Sequence, residues 1–237
     1  MYLSNNRNLS PKPDTDSSQN NQNNNQEPSF STSTVPASGG QNGIISQIDR
    51  HLTAEERKKV ENNLAINKEL LAGMPKETSN SQLYKLHMEI GHQLFALGEL
   101  AKARNEYLIA AKLMPLAYTS QTALFAVYLE MKDIASAGIA IKKAVDLAPD
   151  KPDTWRKYIA FKQQQLDASN KEIGVLYQEA LLKTNNNIDI VVLYARFLGQ
   201  TGDYAKAINF WQMAISINSN MKDIYNQEIR SLEEKIK

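Results

Sequence analysis

Apolar residues recur along most of the chain at the spacing of amphipathic helices, but this pattern begins only after residue 43. From there to residue 237, apolar side chains return every three or four positions, which predicts helices. Glycine and proline interrupt the pattern at short intervals and predict turns between the helices. The pattern therefore predicts an all-α protein that follows a segment of different character.

Residues 1–43 form that segment. They are rich in Asn, Gln and Ser, contain four of the eight prolines, and carry apolar residues without a period. Such a composition cannot bury enough apolar surface to offset the chain entropy that folding costs. We predict a disordered tether over 1–43. Tyr2 and Leu3 stand directly before the polar tract, either as an ordinary chain start or as the end of a membrane anchor that lies further upstream.

Residues 44–75 are predicted to be an N-terminal helical addition that packs on the rest of the fold. Thr53 and Glu56 have the spacing of a capping box, in which each side chain satisfies a free backbone N–H at the helix start. Gly73 and Pro75 predict the helix end. Apolar residues of this segment that recur at helical spacing are Val60, Leu64, Leu71 and Met74.

A skeleton of small and large residues then repeats at an interval of 34. GHQLFALGELAKARNEYLIAAKLMP ends at Pro115, and AVYLEMKDIASAGIAIKKAVDLAP ends at Pro149. Small residues such as Gly91 and Ala103 allow two helices to approach closely, and large ones such as Tyr107 fill the space between neighbours. Each repeat is therefore predicted to be a pair of antiparallel helices.

The period and the placement of these residues resemble the tetratricopeptide repeat. The resemblance covers four units, at 84–117, 118–151, 152–187 and 188–219, and residues 220–237 follow as an amphipathic C-terminal capping helix. It implies an all-α, right-handed superhelical solenoid of helix-turn-helix units with terminal capping helices. For function it implies a scaffold or adaptor that binds another protein, without catalysis.

Two departures from the repeat pattern carry structural expectations. Phe125 stands where a small residue is usual, so the helix pair of the second unit is expected to splay. The third unit carries two extra residues at LDASNK, and its segments WRKYIAF and VLYQEAL also resemble the half-a-TPR repeat of RNA-processing assemblies. An RNA-processing scaffold is therefore an alternative to the general protein-binding one.

The composition limits the chemistry. A net charge of +1 gives no reason to expect a nucleic-acid partner, and the lack of cysteine excludes disulfides and thiolate metal sites. His87 and His92 are five residues apart, which does not match the spacing of a helical metal pair, and His87 falls at a core position. No phosphate loop or nucleophile motif is present. We predict no cofactor and no enzyme activity, with an enzyme of unrecognised site as the remaining alternative.

The resemblance implies that the first helices of the units line a concave groove. Met88, Phe95 and Leu129 would be apolar contact groups there, unless residues 44–75 cover them. Arg156 and Arg196 would converge on an acidic group of the partner, unless they pair with Asp153 and Asp189. The candidate partner-binding residues are Met88, His92, Phe95, Thr122, Ala126, Leu129, Arg156, Ala160, Gln163, Val192, Arg196 and Gln200.

The expected partner is thus a protein or peptide segment with apolar anchors and an acidic group. The carboxylate clamp of chaperone-binding tetratricopeptide domains is not predicted, because of its five positions only the one held by Lys157 matches. The sequence leaves the compartment open between a cytoplasmic domain and one tethered to a membrane through its N-terminal side.

Overall fold

The structure is a computed structural model that describes residues 44–237. Within this range every regular element is a helix, as the apolar pattern predicted. The long helices are α1 Ala54–Ala72, α2 Asn80–Ala96, α3 Leu100–Leu113, α4 Tyr118–Glu130, α5 Ile134–Leu147, α6 Pro152–Gln165, α7 Asn170–Lys183, α8 Ile188–Gln200, α9 Tyr204–Ile217 and α10 Lys222–Ile236. A 3₁₀ turn over Ser219–Met221 joins α9 to α10.

Helices α2 to α9 form four successive pairs, in each of which a short turn leads from a first helix to a second. Alanines at the predicted small positions, including Ala103, Ala137 and Ala207, are fully buried. A Cβ on Gly91 would come within 2.5 Å of the ring of Tyr107, so α2 and α3 need a residue without a side chain there. The helix-pair architecture is confirmed. The residue at which each repeat starts stays a prediction, because helix ends alone do not define it.

The capping box predicted at the start of α1 is present. The Thr53 hydroxyl accepts a hydrogen bond from the Glu56 N–H, and the Glu56 carboxylate accepts one from the Thr53 N–H at 2.9 Å. Ser169 and Glu172 build the same box at the start of α7, where the sequence analysis had identified only a longer turn. Both boxes satisfy backbone N–H groups that have no partner within the helix.

The segment before α1 corrects one expectation. Helix α1 begins at Ala54, and residues 44–53, here called the strap, contain no helix. The strap bonds to the turns of two helix pairs instead: the N–H of Ile45 donates to the Met131 carbonyl, and that of Ile48 to the Gly98 carbonyl, both at 3.0 Å. These turns satisfy the backbone N–H groups of Ile45 and Ile48 without a helix.

Gly98 makes this contact possible. Its φ is +78°, a conformation that favours glycine, and a Cβ built on it would overlap the carbonyl oxygen of Ile48. Ile45, Ile48 and Leu52 of the strap are half-buried against the core of the first two helix pairs. The strap is therefore an integral layer of the N-terminal half.

Phe125 does not splay its helix pair, contrary to expectation. Its ring is buried with its centre 5.7 Å from that of Phe161 on α6, in an edge-on arrangement. Phe161 also lies against Gly138 of α5, where a Cβ would come within 3.1 Å of the ring. The bulk of Phe125 is thus accommodated by the next helix pair, and α4 and α5 remain in close contact through Ala137 and the other small residues of α5. The less closely packed pair is α6 and α7.

Helix α10 covers the end of the stack. Tyr225, Ile229 and Leu232 are buried, and the Tyr225 ring lies 5.3 Å from that of Trp211 on α9. The opposite side of α10 is charged and exposed, as expected for a terminal helix. Among the helices of residues 44–237, none combines the length and the apolar character that a bilayer crossing requires.

Candidate partner-binding surface

The first helices of the pairs, α2, α4, α6 and α8, line two clefts. The N-terminal cleft has a volume of about 350 Å³, and the C-terminal cleft one of about 440 Å³. Helix α6 borders both, because Lys157 lines the first and its neighbour Arg156 the second. The two clefts therefore flank α6, one on each side.

Eight of the twelve candidate residues line one of these clefts. Those in the N-terminal cleft are Met88, His92, Phe95, Thr122 and Ala126, and those in the C-terminal cleft are Arg156, Val192 and Arg196. The other four candidates, Leu129, Ala160, Gln163 and Gln200, line neither cleft. The contact of any of the twelve with a partner stays a prediction.

The apolar groups of the N-terminal cleft are less exposed than expected. Met88 is only 7% exposed and belongs to the core, so it forms the floor of the cleft. Phe95 is half-buried because the strap reaches it: the Arg50 guanidinium lies 4.5 Å from the centre of its ring, and the Arg50 Nε–H donates to its carbonyl at 3.1 Å. Leu129 is half-buried against the same core. The segment 44–75 thus covers one end of this surface through its strap.

His92 and Tyr107 are two of the polar residues that line the N-terminal cleft. Their ring centres are 5.5 Å apart, and both residues line the cleft. Burial, together with the nearby Glu89 carboxylate, raises the pKa of Tyr107 well above its ordinary value. The phenol therefore stays neutral at physiological pH and remains a hydrogen-bond donor.

The C-terminal cleft carries two arginines. Arg156 and Arg196 are both exposed, and neither forms an ion pair with another residue in the range 44–237. Asp153 pairs with Lys157 one helical turn further on, so it is not the partner of the arginines. Asp189 lines the cleft but forms no ion pair with either arginine.

Helix α10 contributes to this cleft in a way that sequence reasoning missed. Tyr225 of α10 and Met221 of the preceding 3₁₀ turn line it together with Asn218 from the end of α9. From the sequence, residues 220–237 were predicted only as a capping helix. The spacing of four residues between Met221 and Tyr225 was the available signal, since side chains at this interval lie on one side of a helical segment.

The histidine and acidic side chains of the described residues bear on metal binding. In the part of the chain that the structure describes, no group of three His, Asp or Glu side chains could hold a metal ion. His87 is largely buried and its Nδ1 lies 2.7 Å from a Glu106 carboxylate oxygen, which fits a packed histidine in a structural role. The clefts thus offer charge, hydrogen bonds and apolar surface, which are the means of binding.

Comparison with known proteins extends the fold assignment. Neither a protein-family model nor a curated protein sequence matches the chain. Among solved structures, two crystal structures of MamA match at 11% identity each. The first covers 71% of this chain and 88% of that one with a TM-score of 0.52, and the second 73% and 99% with a TM-score of 0.51.

A structure of a MamA RS-1 double mutant is similar too, at 17% identity. It covers 70% of this chain and 89% of that chain, with a TM-score of 0.50. The MamA structures are of the tetratricopeptide type, so the resemblance recognised in the sequence is confirmed at the level of the fold. At such low identity the likeness concerns the fold alone.

Proposed function

We propose that this tetratricopeptide-repeat chain is a non-enzymatic scaffold whose first helices bind a segment of another protein. The segment places an acidic group between Arg156 and Arg196 in the C-terminal cleft. Its apolar side chains lie over the N-terminal cleft, towards Met88 and Phe95. A segment that spans both clefts crosses α6 between Arg156 and Lys157.

The observation that carries this proposal is the pair of arginines without a carboxylate partner among residues 44–237. Two guanidiniums that border one cleft can both donate hydrogen bonds to an anion that binds there. A carboxylate placed there accepts charge-assisted hydrogen bonds, which are shorter and stronger than neutral ones. Val192, Leu193 and Tyr225 give the same cleft apolar surface that strengthens these bonds by excluding water.

The N-terminal cleft supports a supplementary role. Its floor is Met88, and methionine adapts its shape to different apolar side chains. Thr122 and His92 border it with polar groups, while Phe95 is held in place by Arg50. An apolar side chain of the bound segment lies in this cleft, against Met88 and Phe95.

The test is the double charge reversal Arg156→Glu with Arg196→Glu. Proteins captured by the wild-type chain are identified, and their affinity for the double variant is measured by calorimetry. We expect affinity to fall by at least about tenfold, because charge-assisted hydrogen bonds are lost and like charges now oppose the acidic group.

The matched control changes the net charge equally but outside the cleft. Lys222→Glu with Arg230→Glu alters two exposed cations of α10 that do not line it. The control variant is expected to keep wild-type affinity. Unchanged affinity of every partner for the Arg156→Glu, Arg196→Glu variant would show that the C-terminal cleft is not the binding site.

A further inference from the structure

Two more clefts lie on either side of α5, among the second helices. One, of about 370 Å³, lies between α3 and α5 and has Leu124 and Tyr128 of α4 among its lining residues. The other, of about 530 Å³, lies between α5 and α6 and is lined in part by Phe161 and Leu166. Ile139 and Lys143 of α5 line both clefts. None of the residues of α5 lines the clefts of the first helices.

The centre of this region, here called the Ile139 surface, is apolar. Ile139 is 61% exposed and forms a ridge between the two clefts. Leu108 borders one cleft, and Leu166 borders the other and is 47% exposed. Contiguous apolar groups of this kind on a folded surface mark a contact site.

The rim of the Ile139 surface is basic. Four lysines line the two clefts, namely Lys112, Lys142, Lys143 and Lys162, against one acidic residue, Asp146. Asp146 pairs with Lys142 at 2.5 Å, whereas the other three lysines form no ion pair within residues 44–237. Glu172 and Glu179 of α7 are near enough to influence Lys162 and Lys142 but do not bond to them. The local excess of three positive charges contrasts with a net charge of +1 for the whole chain.

We propose that the Ile139 surface is a second docking site, and that its occupant is an amphipathic helix of a partner protein with acidic residues beside its apolar face. Rows of side chains on such a helix enter the two grooves that flank Ile139, as ridges fit grooves when helices pack. Its carboxylates face Lys112, Lys143 and Lys162. The charge complementarity selects an acidic helix and speeds its association.

The shape of the surface favours a protein over a bilayer. Leu124 and Phe161 are recessed and buried in the two clefts, so a flat lipid surface reaches Ile139, Leu108 and Leu166 but leaves the clefts unfilled. Side chains that project from a helix fill them. This proposal is independent of the one for the first helices, because the two surfaces share no lining residue, although different residues of α4 and α6 border both.

The test uses the full chain and a library of random 16-residue peptides displayed on phage. Selected peptides are expected to combine apolar residues at helical spacing with Asp or Glu. The variant Ile139→Ser with Lys143→Glu is expected to weaken the best selected peptide, made synthetically, by at least about tenfold. Ile139 and Lys143 are exposed, so the fold is retained, and circular dichroism verifies this.

The control makes the same two changes at the same spacing on α7, as Val175→Ser with Lys171→Glu. Val175 is 57% exposed and lines neither cleft, so the control is expected to bind the peptide within about twofold of the wild type. Equal weakening by both double variants would overturn the proposal. So would selection of peptides that lack acidic residues, or a set of selected peptides none of which is weakened by Ile139→Ser with Lys143→Glu.

Two further outcomes assign the surface to another occupant and overturn the proposal. In the first, the chain binds phosphatidylglycerol vesicles but no library peptide, and Ile139→Ser with Lys143→Glu abolishes the vesicle binding. The other is a dimer of the full chain in light scattering that the same variant dissociates, since that would make a second copy the occupant.

Discussion

Both carboxylate oxygens of Glu130 bind the guanidinium of Arg50, at 3.2 Å and 2.5 Å, across 80 positions of sequence. This bidentate pair fixes the strap to the end of α4, while the Nε–H of the same arginine bonds to the end of α2. Both partners are about one quarter to one third exposed, so solvent screens the pair only in part. One side chain thus joins two neighbouring helix pairs to the segment that precedes them.

Replacement of Arg50 is expected to destabilise the fold. Arg50→Ala removes the paired hydrogen bonds and the contact with the Phe95 ring, and it leaves Glu130 without its partner. We expect the free energy of unfolding to fall by about 1–3 kcal/mol, measured by urea denaturation. Gln47→Ala is the control, because Gln47 is an exposed residue of the same strap. Equal stability of Arg50→Ala and Gln47→Ala would contradict a structural role for the pair.

Two truncations separate the strap from the residues before it. Removal of 1–43 is expected to leave the melting temperature unchanged, because no periodic apolar residue is lost. Removal of 1–53 also takes away the strap with its backbone bonds to Gly98 and Met131, and it is expected to lower the melting temperature by several degrees. Differential scanning calorimetry compares both with the full chain. A drop of several degrees on removal of 1–43 alone would disprove the first expectation.

The buried alanines are predicted to be sensitive to added bulk. Ala207 of α9 is fully buried, so Ala207→Leu overpacks a close helix contact and should cost about 1–3 kcal/mol of unfolding free energy. Ala205→Leu introduces the same side chain on the same helix at an exposed position and should be nearly neutral. Chemical denaturation of the two variants checks the difference. Wild-type stability of Ala207→Leu would mean that the assigned small position is wrong.

The capping box of α7 predicts a pH dependence. The hydroxyl and the backbone N–H of Ser169 bond to the Glu172 carboxylate and lower its pKa below its ordinary value of 4.5. Because the folded pKa is the lower one, the stabilisation is complete above pH 4.5 and is lost as the pH falls through the folded pKa. Thermal melts should be compared between neutral and acidic pH. The melting temperature of Glu172→Gln should differ less from that of the wild type at the acidic end. A difference between Glu172→Gln and the wild type that stays constant over this pH range would contradict the role of the Glu172 carboxylate.

The sequence predicted the features that depend on neighbours along the chain. The 34-residue period located the buried alanines, and the Thr53–Glu56 spacing located the cap of α1. Contacts between residues that are distant in the chain could not be predicted from the sequence. The strap bonds through backbone atoms to Gly98 and Met131, and no side-chain pattern reports such bonds. The burial of Met88 and the fit of Phe125 against Phe161 likewise depend on how adjacent helix pairs meet, which a repeat pattern does not specify.

The site could be predicted in part for the same reason. Arg156 and Arg196 line one cleft because they occupy corresponding sides of consecutive first helices, which the period determines. Leu129, Ala160, Gln163 and Gln200 lie outside the clefts, whose limits depend on α10 and on Arg50. Both α10 and Arg50 belong to segments outside the repeats, so the repeat pattern does not predict where the clefts end.

The strap also imposes an order on events at the ribosome. Ile45 is synthesised before its partner Met131 by 86 residues, the difference of the two positions, so its docking waits roughly 4–17 s at about 5–20 residues per second. The first helix pairs rely on contacts between neighbours along the chain and need no such delay. The beginning of the strap is therefore among the last parts of its half to settle, and until then Ile45 remains open to chaperones on the nascent chain.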